Sequence, residues 1–112
     1  MSTYTPDKWV VVEMTLDKHH FCRVLASWYG GFAGSDSWKM SSGITGIEEF
    51  DDRYEYANTS GSLYICYKQV VGMSGYTAGV FRNFEKEMAA AAPERNASLK
   101  IIDPKDTFTS IL

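Results

Sequence analysis

The spacing of apolar residues changes once along this chain, and that change limits the folds open to it. From residue 8 to residue 69, apolar and polar side chains alternate in short runs between turn-forming residues, which is typical of β-strands. From residue 74 to residue 92, apolar side chains recur every three or four positions, the spacing of one face of an α-helix. The sequence therefore predicts an α+β fold.

The strand-like runs predict a sheet of about five strands, with a short strand after the helix. They cover residues 8–15, 20–30, 37–44, 54–57, 62–69 and 98–103. Short connections between the first five predict an antiparallel meander, and the third strand is expected to continue past a β-bulge at Gly43. The second strand is apolar on both faces, but one helix covers only one face. We therefore expect a homo-oligomer that covers the other.

The helical segment is predicted to begin after Ser74, which is a good N-cap, and to end before Pro93. Its apolar stripe must be buried, and the face of the sheet is the only large apolar surface available. That stripe consists of Val80, Phe81, Phe84 and Met88. We therefore expect one domain over residues 1–112, with a C-terminal helix on a sheet and flexible tails at 1–7 and 104–112.

Composition narrows the classes of function. The net charge is −3 and Lys and Arg residues do not cluster, which argues against a nucleic-acid-binding surface. No apolar run approaches 18 residues, and the first residues lack a basic segment followed by an apolar one. Neither a membrane span nor a signal peptide is therefore expected. Aromatic residues reach 14%, and Tyr and Trp suit binding surfaces as well as cores.

The usual catalytic groups are sparse. His19 and His20 are adjacent, so they point apart in a strand, and no Cys or acidic residue stands beside them at metal-ligand spacing. Cys22 and Cys66 both lie in apolar segments, which predicts buried and inert thiols. We expect no metal, no cofactor and no enzymatic activity. An enzyme of unrecognised type that uses Cys22 with His20 remains an alternative.

Two further segments invite a chemical interpretation. The acidic run 48–55 is interpreted as a solvated hairpin turn, with a cation site as the alternative. The glycine-rich segment 30–37 could direct N–H groups at an anion, but it lacks the Lys-Ser/Thr ending of a phosphate-binding loop. Asp36 would also repel an anion. A hairpin loop is the simpler interpretation.

The start of the helix is the better candidate for binding an anion. Its first turn leaves unbonded N–H groups at the positive end of the helix dipole. Aromatic rings that could stack on a base, at roughly 1–3 kcal/mol each, are plentiful nearby in sequence. The predicted ligand-facing set is Trp28, Tyr29, Trp38, Tyr76, Thr77, Arg82 and Asn83, with Arg23 or Arg95 as a further cation. The alternative is that these rings pack the helix on the sheet.

The two tryptophans Trp28 and Trp38 stand at matching ends of the glycine-rich connection. If their strands form a hairpin, we expect the indoles to meet across the ladder, where aromatic pairs stabilise a sheet. On that interpretation the main role of both tryptophans is to stabilise the sheet. Tyr29, Phe32 and Asp36 then remain on the loop to meet a partner.

Two segments resemble a family of small proteins encoded by tailed bacteriophages and prophages. They are SWYGGFAGSDSWKMSSGI (27–44) and GSLYICYKQVVGMSGYTAGV (61–80). The shared pattern is W-Y-G-G-aromatic-x-G-x-D-S-W followed by G-S-x-Y-x-C, and Val71 stands where the family has an aromatic residue. The resemblance covers roughly residues 8 to 85 and implies a phage protein in the host cytoplasm.

Size, strand–helix order and aromatic content are also similar to the phage anti-defence sponges that sequester cyclic ADP-ribose-type and cyclic dinucleotide signals. Those proteins are oligomers that bind without cleaving, through stacked aromatic rings, Arg and Asn. The likeness implies a non-enzymatic binding protein that sequesters a cyclic nucleotide-type signal. Alternatively, the acidic run 48–55 and the glycine-rich connection between Trp28 and Trp38 form the surface of an inhibitor that binds a host defence or metabolic enzyme.

Overall fold

Three layers make up the structure: two four-stranded β-sheets packed face to face, and a helix on the outer side of one sheet. The computed structural model describes residues 2–30 and 34–110. Its strands are β1 (Thr3–Tyr4), β2 (Lys8–Leu16), β3 (His19–Trp28), β4 (Ser37–Met40), β5 (Ile44–Glu49), β6 (Arg53–Asn58), β7 (Leu63–Tyr67) and β8 (Ala97–Ile102). Its α-helices are α1 (Gly75–Ala91) and α2 (Thr107–Ser110).

The first sheet has the order β4-β3-β2-β8 and the second has the order β1-β7-β6-β5. Neighbouring strands are antiparallel except for β1, which runs parallel to β7. The predicted α+β class is confirmed. The predicted single five-stranded meander is wrong, because β2–β4 and β5–β7 form separate sheets. The helix lies mid-chain and not at the C-terminus, because α2 also follows it; the short strand predicted after the helix is confirmed as β8.

Ser41 marks the point where the chain leaves the first sheet. Its N–H donates to the Val24 carbonyl at 2.9 Å, while the Val24 N–H donates to the Ser41 hydroxyl at 2.8 Å. A side chain thus takes the place of a backbone carbonyl, and the β3–β4 ladder ends there. The chain then enters β5 in the second sheet. The prediction that the third strand continues past a bulge at Gly43 is wrong, because β4 ends at Met40 and β5 belongs to the other sheet; the bulge lies within β5, between Ile44 and Gly46.

Aromatic and apolar residues fill the space between the two sheets. The buried residues are Trp9 and Val11 of β2, Cys22, Val24 and Ala26 of β3, Ile44 of β5, Tyr54 and Tyr56 of β6, and Tyr64 and Cys66 of β7. They alternate along their strands with residues that face outward, as the period-two pattern requires. This layer between the sheets is the larger of the two cores.

The helix covers the opposite face of the first sheet. Phe81 of α1 packs with Val10, Val12 and Leu25, and partly buried methionines surround them. The predicted N-cap is confirmed, because the Ser74 hydroxyl accepts a hydrogen bond from the Thr77 N–H at 3.1 Å. Both faces of β3 are therefore covered within one chain. The reason given above for expecting an oligomer is wrong, because the second sheet covers the face that the helix leaves open.

The segments predicted as tails hold secondary structure. Tyr4 of β1 stacks on Tyr64 with ring centroids 4.9 Å apart. At the other end, Thr107 is fully buried and Phe108 lies 6.4 Å from the ring of Tyr54. Residues 111 and 112 lie outside the described residues. Both ends of the described chain thus pack against the core between the sheets.

We expect the protein to unfold at high pH, because it buries phenol and thiol groups in their neutral form. Burial raises the pKa of Tyr64 from 10.0 to about 12, and it raises the pKa of Cys66 above its ordinary 9.0. The unfolded chain therefore loses these protons at lower pH than the folded chain does. Their contribution to stability is complete below about pH 9 and is lost as the pH rises through the folded-state values.

Urea unfolding at a series of pH values measures this loss. We expect the urea midpoint to hold up to about pH 9 and then to fall steadily. A Tyr64→Phe variant has one titrating group fewer, so its midpoint should fall less steeply. A midpoint that stays level up to about pH 11 would contradict the prediction.

Candidate functional site

The two tryptophans of the predicted ligand set lie on opposite faces of the first sheet. Ser27 pairs with Trp38, and Trp28 pairs with Ser37. Trp28 therefore faces the second sheet, where its Nε1–H donates to the Thr5 carbonyl at 3.1 Å. Trp38 faces α1 and meets the edge of Phe84 with ring centroids 5.6 Å apart. The predicted cross-strand contact between the two indoles is wrong, because the register shifts them by one residue.

The two candidate cations Arg23 and Arg95 lie away from Trp38. Arg95 makes a bidentate ion pair with Asp17 in the β2–β3 turn, at 3.0 Å for Nε–Oδ2. This turn is at the far end of β3 from Trp28, and the hydrogen bond from Arg95 holds the pKa of Asp17 below its usual value. Arg23 lies with its guanidinium 4.8 Å from the ring of Phe21.

The helical candidates divide between two sides of α1. Tyr76 is half exposed, and Asn83, seven residues on, shares its side of the helix. Arg82 is turned about 100° away from Asn83. Thr77 is fully buried, and its hydroxyl oxygen accepts a hydrogen bond from the Ser74 hydroxyl at 3.0 Å. Thr77 therefore holds the start of the helix and is not available to a ligand.

A row of three residues crosses the first sheet on the side that faces α1. Lys8 pairs with Ser27, and Ser27 pairs with Trp38. All three face the helix side, because Val10 and Leu25, two residues along their strands, contact Phe81 there. The Lys8 side chain runs beside Gly72, where a Cβ would lie 3.9 Å from the lysine Nζ. Gly72 comes two residues before the N-cap of α1.

The row combines an ammonium without an ion pair, a hydroxyl without a hydrogen bond and a partly exposed indole. The Ser27 hydroxyl is 1% exposed and makes no hydrogen bond within residues 2–30 and 34–110. Lys8 makes no ion pair with any acidic side chain of the described chain. Trp38 leaves 36% of its surface exposed. We call Lys8, Ser27, Trp38 and the first turn of α1 the Lys8–Trp38 corner.

The chemistry of this corner suits an anion that carries an aromatic ring. An ammonium group near the positive end of a helix dipole favours negative charge. The exposed indole offers a stacking surface for a base. Sequence reasoning identified Trp38 and the helix start but missed Lys8 and Ser27. The signal available for them was the alternation, which places Lys8 on the same face as Val10 and Val12, and Ser27 on the same face as Leu25.

Hydrogen bonds to two aspartates hold the described ends of the glycine-rich segment. The Gly30 N–H donates to Asp36 at 3.0 Å, and the Tyr29 N–H donates to Asp7 at 2.9 Å. A Cβ on Gly30 would come within 2.4 Å of the Gly34 backbone, so this close approach requires glycine. The Tyr29 ring is half exposed, whereas Phe32 lies outside the described residues. Asp36 therefore shapes the loop as well as facing solvent.

The carboxylates of the acidic hairpin are largely neutralised by cations of the same chain. Lys68 reaches Glu49 at 2.7 Å, and Arg53 reaches both Asp52 and Glu55 at 2.9 Å. The pKa of Glu49 is lowered by its hydrogen bond from Lys68. In the described part of the chain, no three His, Cys, Asp or Glu residues are grouped so as to hold a metal ion.

The cysteines lie in the core between the sheets. Cys22 and Cys66 are both fully buried and neither forms a disulfide. His20, two residues before Cys22, points its Nε2 toward Glu13 at 3.3 Å. A nucleophilic thiol needs partial exposure and a positive setting, whereas burial raises the pKa of Cys66. These positions do not support the thiol-based enzyme.

Thiol labelling checks this placement. In the native protein at neutral pH, we expect neither cysteine to react with an aromatic disulfide reagent on the time scale of minutes, because the core excludes the reagent. After unfolding in guanidinium, both should react at once. A native thiol that reacts as fast as free cysteine would contradict the burial.

No family model, curated protein or solved structure matches this chain. None of the helices in the described ranges is both long enough and apolar enough to span a membrane.

Proposed function

We propose that this chain is a non-enzymatic binding protein that holds a nucleotide-type ligand at the Lys8–Trp38 corner. The supporting observation is the row in which an unpaired ammonium beside Gly72, a buried hydroxyl without a hydrogen bond and a partly exposed indole share the helix-facing side of the first sheet. A buried hydroxyl without a hydrogen bond costs free energy, and a ligand that supplied the missing partner would remove that cost.

The ligand would place its base and its phosphate on different parts of the corner. The base stacks on Trp38, while the phosphate lies between Lys8 and the N–H groups of Gly75 and Tyr76. A cyclic nucleotide suits this division, since it joins a base to a phosphate that carries a single negative charge. Following the phage resemblance, we propose that the protein sequesters such a signal in the host cytoplasm and so counteracts host immunity.

Isothermal titration calorimetry against a panel of ligands tests the proposal. The panel contains cyclic dinucleotides, a cyclic ADP-ribose, cyclic mononucleotides, linear mononucleotides and inorganic phosphate. We expect at least one cyclic nucleotide to bind at one site per chain, and phosphate alone to bind weakly or not at all. Flat traces for the whole panel would refute the proposed ligand class.

A pair of lysine variants locates the site. Lys8→Met should weaken binding at least tenfold, because the phosphate loses its cation. Lys86→Met is the matched control, since Lys86 is an exposed lysine of α1 that makes no ion pair in the described structure. Equal affinities for the two variants would place the ligand elsewhere.

The outer face of the second sheet supports a second candidate, the inhibitor that binds a host protein. Ala57 and Leu63 line an open groove of about 250 Å³ on this face, with Glu48 and Glu55 at its rim. Glu48 lies directly opposite Glu55, and because Glu55 is already paired with Arg53, Glu48 is the carboxylate that a basic partner would meet. Ala57→Arg should abolish capture of that partner from host lysate and leave nucleotide binding unchanged. A partner captured equally well by this variant would contradict the candidate.

A further inference from the structure

The four edges of the two sheets differ in how well they are protected. The edge strand β1 has two residues and β4 has four, while the edge strand β5 carries a bulge. Short length and bulges are the usual devices that prevent an edge from pairing with another chain. The remaining edge strand, β8, has six residues in regular register with β2, from Ala97 to Ile102. The outer edge of β8 is therefore the most exposed template for pairing.

The charge on β8 does little to deter a second strand. Its one charged residue is Lys100, and an inward or outward lysine is a common way to block an edge. Here the Lys100 ammonium lies 3.2 Å from Glu13 of the neighbouring strand β2, on the face toward the second sheet. The lysine charge is thereby compensated within the chain, and β8 contains no proline.

A mixed surface, apolar except for Glu85 and Ser98, continues from β8 onto the helix. Ile101 of β8 is 42% exposed on the helix side of the sheet. Next to it, α1 and β8 enclose an open groove of about 230 Å³. Its lining consists of Glu85, Met88 and Ala89 of α1 with Ala97, Ser98 and Leu99 of β8. The small Ala89 on this side of α1 leaves room for a second helix to approach closely.

We propose that β8 pairs in antiparallel fashion with β8 of a second copy of this chain. The two first sheets then join into one sheet of eight strands, with both α1 helices on the same side. Such a pair has twofold symmetry, so the same surface serves both copies. The grooves beside the two β8 strands meet across the axis, and the exposed Ile101 of each copy becomes covered.

The sequence of β8 selects the register. Centring the pair on Leu99 places the two Leu99 residues opposite each other and sets Ile101 against Ala97 of the second copy. It also sets Lys100 against Ser98. A register centred on Lys100 would instead bring two ammonium groups together, which is unfavourable for directly opposed residues. Because β8 is mostly apolar and its single charge is compensated within the chain, it suits a second β8 strand better than a charged partner.

Cysteine cross-linking tests both the pairing and its register. Directly opposed residues of antiparallel strands have Cα atoms about 4.5–5.5 Å apart, which a disulfide can span. We expect Leu99→Cys to give a disulfide-linked dimer under mild oxidation. In the same register, two Cys residues at position 101 are separated by four residues along the strands, roughly 14 Å, so Ile101→Cys should not cross-link. The native cysteines are buried and do not interfere.

Light scattering supplies the second measurement. The wild-type protein should show a concentration-dependent mass that approaches twice the chain mass of 12.6 kDa. Ile101→Glu should remain a monomer, because it places a carboxylate in the covered interface. Tyr67→Glu is the control, since Tyr67 is also exposed but lies on the second sheet.

Each result of the cross-linking and light-scattering experiments either supports or overturns the proposed pairing. Cross-linking at position 99 alone, together with loss of the dimer in Ile101→Glu, supports the proposal. A wild-type protein that remains monomeric at high concentration, with no cross-link at position 99, overturns it. Cross-linking at position 101 and not at 99 overturns the register. Neither readout involves a nucleotide, so the result is independent of the proposed ligand.

Discussion

Replacing Trp9 with alanine is expected to lower the free energy of unfolding by about 3–5 kcal/mol, the usual loss for a buried aromatic residue. Trp9 is fully buried between the sheets, and its ring meets the edges of Tyr54 and Tyr56 at centroid distances of 6.0 and 5.7 Å. Its Nε1–H also donates to the Tyr67 carbonyl at 2.7 Å. The substitution leaves a large cavity and removes a hydrogen bond between the sheets.

Chemical denaturation measures this loss. A domain of ordinary stability has about 5–15 kcal/mol in total, so the variant should be partly unfolded at 37 °C or fail to accumulate in soluble form. Trp9→Phe keeps much of the volume and loses the hydrogen bond, so its loss should be clearly smaller. A change below about 1 kcal/mol for Trp9→Ala would mean that the sheets do not pack through this residue.

The substitution Trp38→Ala is expected to weaken ligand binding strongly and to lower the free energy of unfolding only slightly. Trp38 is partly exposed and contacts Phe84 at the edge of the helix layer, so unfolding should be affected much less than by Trp9→Ala. Ligand affinity should fall about 5- to 150-fold, because a base stacked on an aromatic ring contributes roughly 1–3 kcal/mol. The two tryptophans thus separate a role in the fold from a role in binding.

Titration calorimetry of Trp38→Ala with the ligand found for the wild type measures this effect. Trp28→Phe is the matched control, since Trp28 faces the second sheet and lies outside the Lys8–Trp38 corner. We expect Trp28→Phe to keep near wild-type affinity. If Trp38→Ala bound as tightly as the wild type, the base would have to stack elsewhere.

The longer strands and the helix α1 were predictable because their patterns are local, whereas β1 lies in a segment predicted as a tail and β5 was not predicted as a separate strand. The β-branched run at the start of β2 and the three-and-four spacing of α1 place each element within a few residues of its observed ends. Which strands share a sheet is not a local property. Ser41 looks like an ordinary polar residue in a strand. Its hydroxyl nevertheless accepts the Val24 N–H where the β3–β4 ladder ends, and the chain then continues in the other sheet.

The candidate site was predictable only in part, for a related reason. Trp28 and Trp38 look symmetric about their loop, but the face that each occupies depends on the hairpin register. Composition alone does not show a shift of one residue, and such a shift moves a side chain to the other face of the sheet. Lys8 and Ser27 became candidates only once their strands were seen side by side under α1.

Recovery of intact ligand is the most direct test of the central claim, that the protein binds a nucleotide signal without altering it. The purified protein is incubated with a stoichiometric amount of the cyclic nucleotide that binds in calorimetry and is then separated from unbound ligand. The complex is denatured by heat, and the released nucleotide is identified by chromatography and mass. The account predicts about one intact cyclic nucleotide per chain for the wild type and far less for Lys8→Met. A linear or hydrolysed product, or no bound nucleotide, would contradict it.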